Sequence, residues 1–104
     1  MPKRVKLGHH YYYIVTSESL TNGRFKGKNV VLEGIIEDKP HIEFLPMELP
    51  SSRTTFHVDR FKIEFPGTPY VGKGDVVKVY GRFVGDGIIA SAIETEKALY
   101  TAED

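Results

Sequence analysis

Cysteine is absent from this chain of 104 residues. Its absence excludes disulfides, thiolate nucleophiles and any cysteine-ligated zinc or iron–sulfur site, and nothing points to an oxidising compartment. A chain of this length buries enough surface for one hydrophobic core but not for two. The sequence therefore predicts a single small domain and excludes multidomain catalytic machinery.

Long hydrophobic segments are also missing. The longest weakly polar run, residues 87–93, is seven residues long, whereas a membrane-spanning helix needs roughly 20. Residues 11–15 follow a basic opening but contain three tyrosines, and such a stretch is too short and too polar for the core of a signal peptide. We therefore expect a cytoplasmic protein that does not contact a membrane.

The chain has no excess of charge of either sign, but its charges are segregated along the sequence. Residues 1–28 carry six basic side chains against Glu18, residues 29–50 have a net charge of −4, residues 51–82 of +3, and residues 83–104 of −4. Local basic blocks attract a polyanion even on a neutral molecule. The alternative is that these charges are ordinary solvated groups.

Ten glycines and six prolines separate short runs rich in Val, Ile, Phe and Thr, which is typical of an all-β domain. Residues 29–38 predict a strand bent at Gly34, and residues 75–84 and 88–95 predict two strands joined by a short hairpin loop. In residues 53–65 the apolar alternation changes parity at Asp59 and Arg60. A two-residue hairpin turn explains this change, and a bulge in one long strand is the competing explanation.

The two ends of the chain have weaker patterns. Residues 11–16 are consistent with an extra strand, and residues 17–20 with a helical turn capped by Ser17. The tail, residues 96–104, is expected to add a helical turn or to fray. Residues 66–74 contain two prolines and three glycines and predict a loop.

Residues 74–82 read GDVVKVYGR, and residues 89–94 read IASAIE. This ending resembles that of OB-fold domains in single-strand-binding and tRNA-anticodon-type proteins, and the chain is similar to small archaeal-type OB proteins over residues 28–95. The resemblance implies a small five-stranded Greek-key barrel that binds oligonucleotides. The implied organisation is an N-terminal extension (1–27) that packs on the barrel (28–95), followed by a tail (96–104). The helix that usually lies between the third and fourth strands has no room in residues 66–74.

Binding of a single strand requires aromatic faces for the bases and cations that follow the phosphates. The outward side of the predicted strand 75–84 carries Lys78, Tyr80 and Arg82, and the preceding hairpin adds further basic or ring-bearing side chains. We therefore predict a binding face for single-stranded DNA or RNA on these strands. Its members are Arg53, His57, Arg60, Lys62, Lys78, Tyr80 and Arg82. The alternative is that Tyr80 packs beneath the N-terminal segment and the charges are merely solvated.

Residues 39–52 are expected to form the loop between the first two barrel strands. Five large apolar residues in a loop with three prolines are hard to leave in water. The alternative function is therefore a protein-interaction module, or an accessory subunit of a nucleic-acid-processing complex, that docks through this loop. Phe44, Leu45 and Met47 would contact the protein partner or a second copy in a homodimer. In the competing interpretation the strands extend further and this apolar group enters the core.

Catalytic and cofactor motifs are missing. The chain has no phosphate-binding loop, dinucleotide fingerprint or serine-nucleophile motif, and His9 and His10 point to opposite faces of a strand. We therefore expect a non-enzymatic protein without a metal or other cofactor. The cluster of His9, His10 and residues 11–13 beside Lys6 is basic and aromatic, so it either extends the binding surface or packs across an open end of the barrel.

Overall fold

A computed structural model describes residues 3–48 and 51–102 of the chain. Within these ranges the prediction of an all-β protein is confirmed, with one helix of four residues. The elements, in chain order, are β1 Arg4–Leu7, β2 His10–Val15, α1 Ser17–Leu20, β3 Asn29–Ile35, β4 His41–Phe44, β5 Ser52–Val58, β6 Phe61–Pro66, β7 Val76–Phe83, β8 Gly87–Glu94 and β9 Leu99–Thr101.

The nine strands form one mixed sheet with the order β1-β2-β3-β7-β8-β6-β5-β4, and β9 pairs with β8. Neighbouring strands are antiparallel, except that β2 pairs with β3 and β6 pairs with β8 in parallel. The ladders do not close the sheet into the predicted five-stranded barrel. The sheet curls until β3 and β5 meet at one point, where Ile36 and Val58 form a single antiparallel bridge and the N–H of Glu37 donates to the carbonyl of His57 at 2.9 Å.

A hairpin causes the change of parity in the apolar alternation of residues 53–65, as the first of the two sequence interpretations predicts. Asp59 and Arg60 form its turn with φ angles of 49° and 75°. Two positive φ angles are the signature of a type I′ turn, whose twist matches that of the flanking strands. Val58 and Phe61 are consequently a directly opposed pair.

The main core lies between the curled halves of the sheet. Its largest fully buried side chains include Leu32, Phe56, Ile63 and Phe83, which alternate with outward-facing residues along their strands. A second buried cluster lies on the opposite face of β3 and β7. It consists of Tyr12, Val31, Tyr80 and Ala92, against which Val5 and Leu7 pack.

Several predictions for the ends of the chain are corrected. The cap of α1 is Thr16 rather than Ser17, because the Thr16 hydroxyl accepts from the N–H of Ser19 at 3.1 Å and the Ser19 hydroxyl accepts from the N–H of Thr16 at 3.0 Å. Residues 99–101 form β9, where a helical turn or a frayed tail was expected. Residues 1–2 of the predicted extension and 103–104 of the predicted tail lie outside the described residues.

Residues 41–44, predicted as loop, form β4, so the strands do extend further. This extension does not carry the apolar side chains into the core, because Ile42 and Phe44 remain exposed. Within residues 3–48 and 51–102 no helix has the length and apolarity needed to cross a membrane.

Candidate nucleic-acid interface

On β5 and β6, two of the predicted binding cations lie beside carboxylates. Arg53 forms an ion pair with Glu43 of the neighbouring strand β4. The Lys62 ammonium lies 3.1 Å from a carboxylate oxygen of Glu64. Each pairing reduces the positive potential that a phosphate would meet at this surface.

His57, the ring predicted for this surface, is held at the base of the β4–β5 hairpin. Its Nδ1 lies 2.8 Å from one carboxylate oxygen of Asp38, and its backbone N–H donates to the other at 2.8 Å. Partial burial raises the pKa of Asp38, but these hydrogen bonds and the nearby imidazole outweigh burial, so the pKa lies below its ordinary value of 3.8. The imidazole is therefore oriented by a carboxylate and is not free to stack on a base.

Arg60 occupies the turn between β5 and β6 and its side chain is exposed. Its backbone N–H donates to a carboxylate oxygen of Glu37 at 3.2 Å. After Glu43, Glu64 and Asp38, this is the fourth carboxylate that lies beside the predicted binding residues of β5 and β6.

Tyr80 is buried, with only 6% of its surface exposed, so the prediction that it offers a face for base stacking is wrong. The ring packs edge-on against Tyr12 with 5.4 Å between ring centroids. The cause is β2, which pairs with β3 and lays Tyr12 over the outer face of β7. The sequence alternative, in which Tyr80 lies under the N-terminal segment, is the one observed.

Lys78 and Arg82 are exposed on β7, but they do not join the β5–β6 group. Strand β8 lies between β7 and β6, and the β8 residue opposite Arg82 is the exposed Ile89. Lys78 is flanked in the ladder by Glu33 and Glu94. The structure therefore divides the predicted binding residues into two groups, and acidic side chains accompany both the β5–β6 group and Lys78.

The predicted partner-binding residues lie in and after β4. Phe44 is 71% exposed and Met47 is 94% exposed, whereas Leu45 is half-buried. The N–H of Leu45 donates to the carbonyl of Ser51 and continues the ladder between β4 and β5. Two of the three side chains are therefore available to a partner.

Another surface combines cations that form no salt bridge within the described residues with two aromatic rings, one exposed and one half-buried. We call Arg4, Lys6, Tyr11 and Lys28 the N-terminal basic surface. Tyr11 is 54% exposed, and the Arg4 guanidinium carbon and the Lys6 ammonium nitrogen lie 5.1 Å and 5.9 Å from its ring centroid. Register explains this arrangement, because Lys6 is directly opposite Tyr11 in the β1–β2 hairpin and Arg4 is the next residue on the same face.

Lys28 is brought to the N-terminal basic surface by the segment that precedes β3. Its ammonium nitrogen lies 5.7 Å from the centroid of Tyr13, the residue opposite Arg4. Tyr13 in turn packs on Phe25 with 5.6 Å between ring centroids. The segment is fixed to the end of β7, because the N–H of Gly27 donates to the carbonyl of Phe83 at 2.7 Å and the N–H of Phe83 donates to the carbonyl of Lys28 at 2.9 Å.

The β5–β6 surface and the N-terminal basic surface differ in whether carboxylates neutralise their cations. None of the basic side chains of residues 3–28 takes part in a salt bridge with the described part of the chain, and all of them are exposed. Glu18 is the one acidic residue of this block. Cations that rest on an aromatic face keep their charge available to an anion, whereas an ion pair neutralises it.

A cleft of about 700 Å³ has none of these cations in its lining. Its lining contains Glu33, Asp75, Glu94 and Glu96 together with two lysines and Tyr70. Because acidic side chains outnumber the lysines in this lining, the cleft disfavours binding of a phosphate chain. Among the residues that the structure describes, no group of three or more histidine or acidic side chains could hold a metal ion.

The N-terminal basic surface has a partial signal in the sequence, namely the block of six cations with a run of tyrosines. The partners Asp38 and Glu43 were missed, because they lie 19 and 10 residues from His57 and Arg53. Local alternation shows which face a side chain occupies, but not which charges another strand brings beside it.

Comparisons of the chain with protein-family models, with curated proteins and with solved structures find no match.

Proposed function

We propose that this chain is a non-catalytic cytoplasmic protein of the OB type that binds single-stranded DNA or RNA through its N-terminal basic surface. The surface on β5, β6 and β7 that the sequence favoured is secondary in this proposal. The observation that carries the proposal is the half-exposed ring of Tyr11 with two cations over it, neither of which is paired with an acidic group of the described residues.

The strand pairing supports the OB part of the proposal. Strands β3, β5, β6, β7 and β8 follow the pairing of a partly open five-stranded Greek-key barrel, with β6 and β8 as its parallel pair. The bridge between Ile36 and Val58 joins the first of these strands to the second, at the seam where such a barrel closes. β1, β2, β4 and β9 are then additions at the sheet edges.

The chemistry of the N-terminal basic surface suits a single strand. An exposed tyrosine provides a stacking platform for any base, worth about 1–3 kcal/mol per base. Arg4, Lys6 and Lys28 lie close enough to the rings to contact the phosphates on either side of a stacked base. Recognition of this kind reads the backbone and the base faces, so we expect low sequence specificity.

Fluorescence anisotropy with labelled oligo-dT and oligo-U tests this function. We expect binding at low salt, and the logarithm of the affinity should fall linearly with the logarithm of the salt concentration, with a slope of about 0.7 for each phosphate neutralised. No binding to either oligonucleotide at low salt would overturn the proposal.

Paired variants locate the site. Lys6→Ala combined with Lys28→Ala should lower the salt slope by about 1.4, because two phosphate contacts are lost. The matched control is Arg53→Ala combined with Lys62→Ala, which also removes two cations and should leave the slope nearly unchanged, since both are already paired. Thermal melting of each variant verifies that it is folded. The opposite ranking of the two double variants would return the site to the β5–β6 face.

A further inference from the structure

Residues 22–28 lie between α1 and β3, and we call them the Phe25 loop. Phe25 is part of the main core, with 8% of its surface exposed, and its ring packs on that of Tyr13. Arg24 and Lys26, the residues on either side of Phe25, are exposed. The buried ring thus anchors the loop and leaves a cation at the surface on each side of it.

Hydrogen bonds fix the backbone of the Phe25 loop in two successive turns. The N–H of Lys26 donates to the carbonyl of Gly23 at 3.4 Å, and the N–H of Lys28 donates to the carbonyl of Phe25 at 2.9 Å. Gly23 and Gly27 have φ angles of 79° and 83°, a conformation that glycine adopts without steric cost. The cations are therefore carried on a defined backbone, which lowers the entropy cost of ordering them on a ligand.

The Phe25 loop continues the N-terminal basic surface across the sheet. Tyr13, on which Phe25 packs, is the residue opposite Arg4 in the β1–β2 hairpin. On the other side, a Cβ atom on Gly85, in the connection between β7 and β8, would lie 3.7 Å from the Cε atom of Lys26. The order along the sheet is β1, β2, β3 and β7. Basic side chains therefore extend over three strand spacings, about 14 Å, from β1 to the end of β7.

The cations of the Phe25 loop form no salt bridge with the described part of the chain. The loop has three basic residues and no acidic one, although the whole chain has equal numbers of acidic and basic residues. Neighbouring like charges repel one another and destabilise the folded state. A bound polyanion relieves this repulsion, whereas Arg53 and Lys62 on β5 and β6 already have carboxylate partners.

We propose that the Phe25 loop is the second half of the nucleic-acid site, in which Arg24 and Lys26 bind phosphates further along the strand from the base that stacks on Tyr11. The ligand is then a continuous single strand of at least about four nucleotides, rather than a mononucleotide or a dinucleotide. This inference rests on the proposed nucleic-acid function. It adds to that function the length of the ligand and two residues that bind it.

Fluorescence anisotropy with oligo-dT of two lengths, about three and about eight nucleotides, tests the inference. For the longer strand, Arg24→Gln combined with Lys26→Gln should lower the salt slope by about 1.4, because two phosphate contacts are lost. Glutamine keeps much of the aliphatic stem, so the substitution removes charge rather than packing. For the shorter strand, which does not reach the loop, the same double variant should leave the slope nearly unchanged.

The matched control is Lys73→Gln combined with Lys97→Gln, which changes the net charge by the same amount. Both lysines are exposed, and Lys97 lines the acidic cleft rather than the basic surface. This control should leave the salt slope for both strands nearly unchanged. An equal effect of the two double variants would indicate a response to net charge alone and would overturn the inference.

Thermal melting of the free chain separates a binding role from a structural one. Because the loop variant removes unrelieved positive charge, its melting temperature should be unchanged or slightly higher. A lower melting temperature together with weaker binding would assign the loop cations a structural role and overturn the inference.

The two oligonucleotide lengths also distinguish failure of this inference from failure of the proposed function. If neither strand binds the unaltered chain at low salt, the proposed function fails and the inference fails with it. If the longer strand binds but the loop variant leaves its salt slope unchanged, the inference fails while the proposed function stands.

Discussion

The phenol of Tyr80 donates a hydrogen bond of 2.8 Å to a carboxylate oxygen of Glu94, and its ring lies beneath Tyr12. The Tyr12 hydroxyl lies 2.9 Å from the hydroxyl of Ser91. Both tyrosines are therefore buried with satisfied hydroxyl groups, which is how a buried tyrosine is ordinarily stabilised. This pair joins the N-terminal hairpin to β7 and β8, so Tyr80 has a structural role.

Replacement of Tyr80 separates this structural role from nucleic-acid binding. Tyr80→Phe should lower the free energy of unfolding by about 1–2 kcal/mol, because it removes a hydrogen bond to a carboxylate. Tyr80→Ala should cost about 3–5 kcal/mol, because it leaves a cavity under Tyr12. Urea denaturation measures both. A Tyr80→Phe variant of unchanged stability that binds oligonucleotides less tightly would contradict a purely structural role.

The ionisation of Tyr80 gives a spectroscopic test of the same contact. Burial, with the hydrogen bond and the negative charge of Glu94, raises the pKa of Tyr80 from 10.0 to about 12. The folded state thus holds this proton more tightly than the unfolded chain. The resulting stabilisation is complete below pH 10 and is lost as the pH rises toward 12.

Ultraviolet titration of the six tyrosines should show one group that ionises last, and Tyr80→Phe should remove that step. If the last step persists in this variant, the assignment to Tyr80 is wrong. Circular dichroism at each pH verifies that the chain is still folded.

Asp38 should stabilise the seam between β3 and β5 in a pH-dependent way. Because the folded-state pKa is below the ordinary value of 3.8, its contribution is complete above that value and is lost as the pH falls through the lowered pKa. Asp38→Ala should therefore cost about 1 kcal/mol at pH 7, allowing for solvent screening, and almost nothing in strong acid.

Urea denaturation at several pH values measures this difference. Glu64→Ala is the control, since its carboxylate faces a single exposed lysine and its loss should cost under about 0.5 kcal/mol. A deficit for Asp38→Ala that stays constant at all pH values would contradict the role of the carboxylate charge.

Gly81 lies where the ladder between β7 and β8 shifts register. A Cβ atom at this position would lie 2.2 Å from the carbonyl oxygen of Ile89 and 2.7 Å from the Cα of Ala90. Backbone atoms cannot move aside as a flexible side chain can, so Gly81→Ala should destabilise the fold by about 2–3 kcal/mol. Gly72→Ala, whose Cβ would meet nothing closer than 4.0 Å, should be nearly neutral. Equal thermal melting temperatures for the two variants would contradict this account.

The alternation of apolar residues and the turn-forming residues in the sequence were sufficient to predict the strands and turns in the middle of the chain. The strands β3, β5, β6, β7 and β8, the loop before β7 and the hairpin at Asp59 were predictable because each depends on residues that are close in sequence. The edge strand β4 and the tail strand β9 were not, since both are short and owe their conformation to the neighbouring strand with which they pair. The same limit applied to the site, where Lys78 and Arg82 were correctly placed on an exposed face but Tyr80 was not.

The order of residues along the chain was enough to predict an all-β protein, the residues that share a face of each central strand, and a block of cations before β3. The three-dimensional packing was needed to find that β2 covers Tyr80 and that acidic side chains accompany the cations of β5 and β6. It was also needed to find that Arg4 and Lys6 lie over Tyr11 without a salt bridge to the described residues. The physical reason is that side-chain alternation is a local property of the backbone. Burial and electrostatic potential depend instead on what distant segments bring to each face.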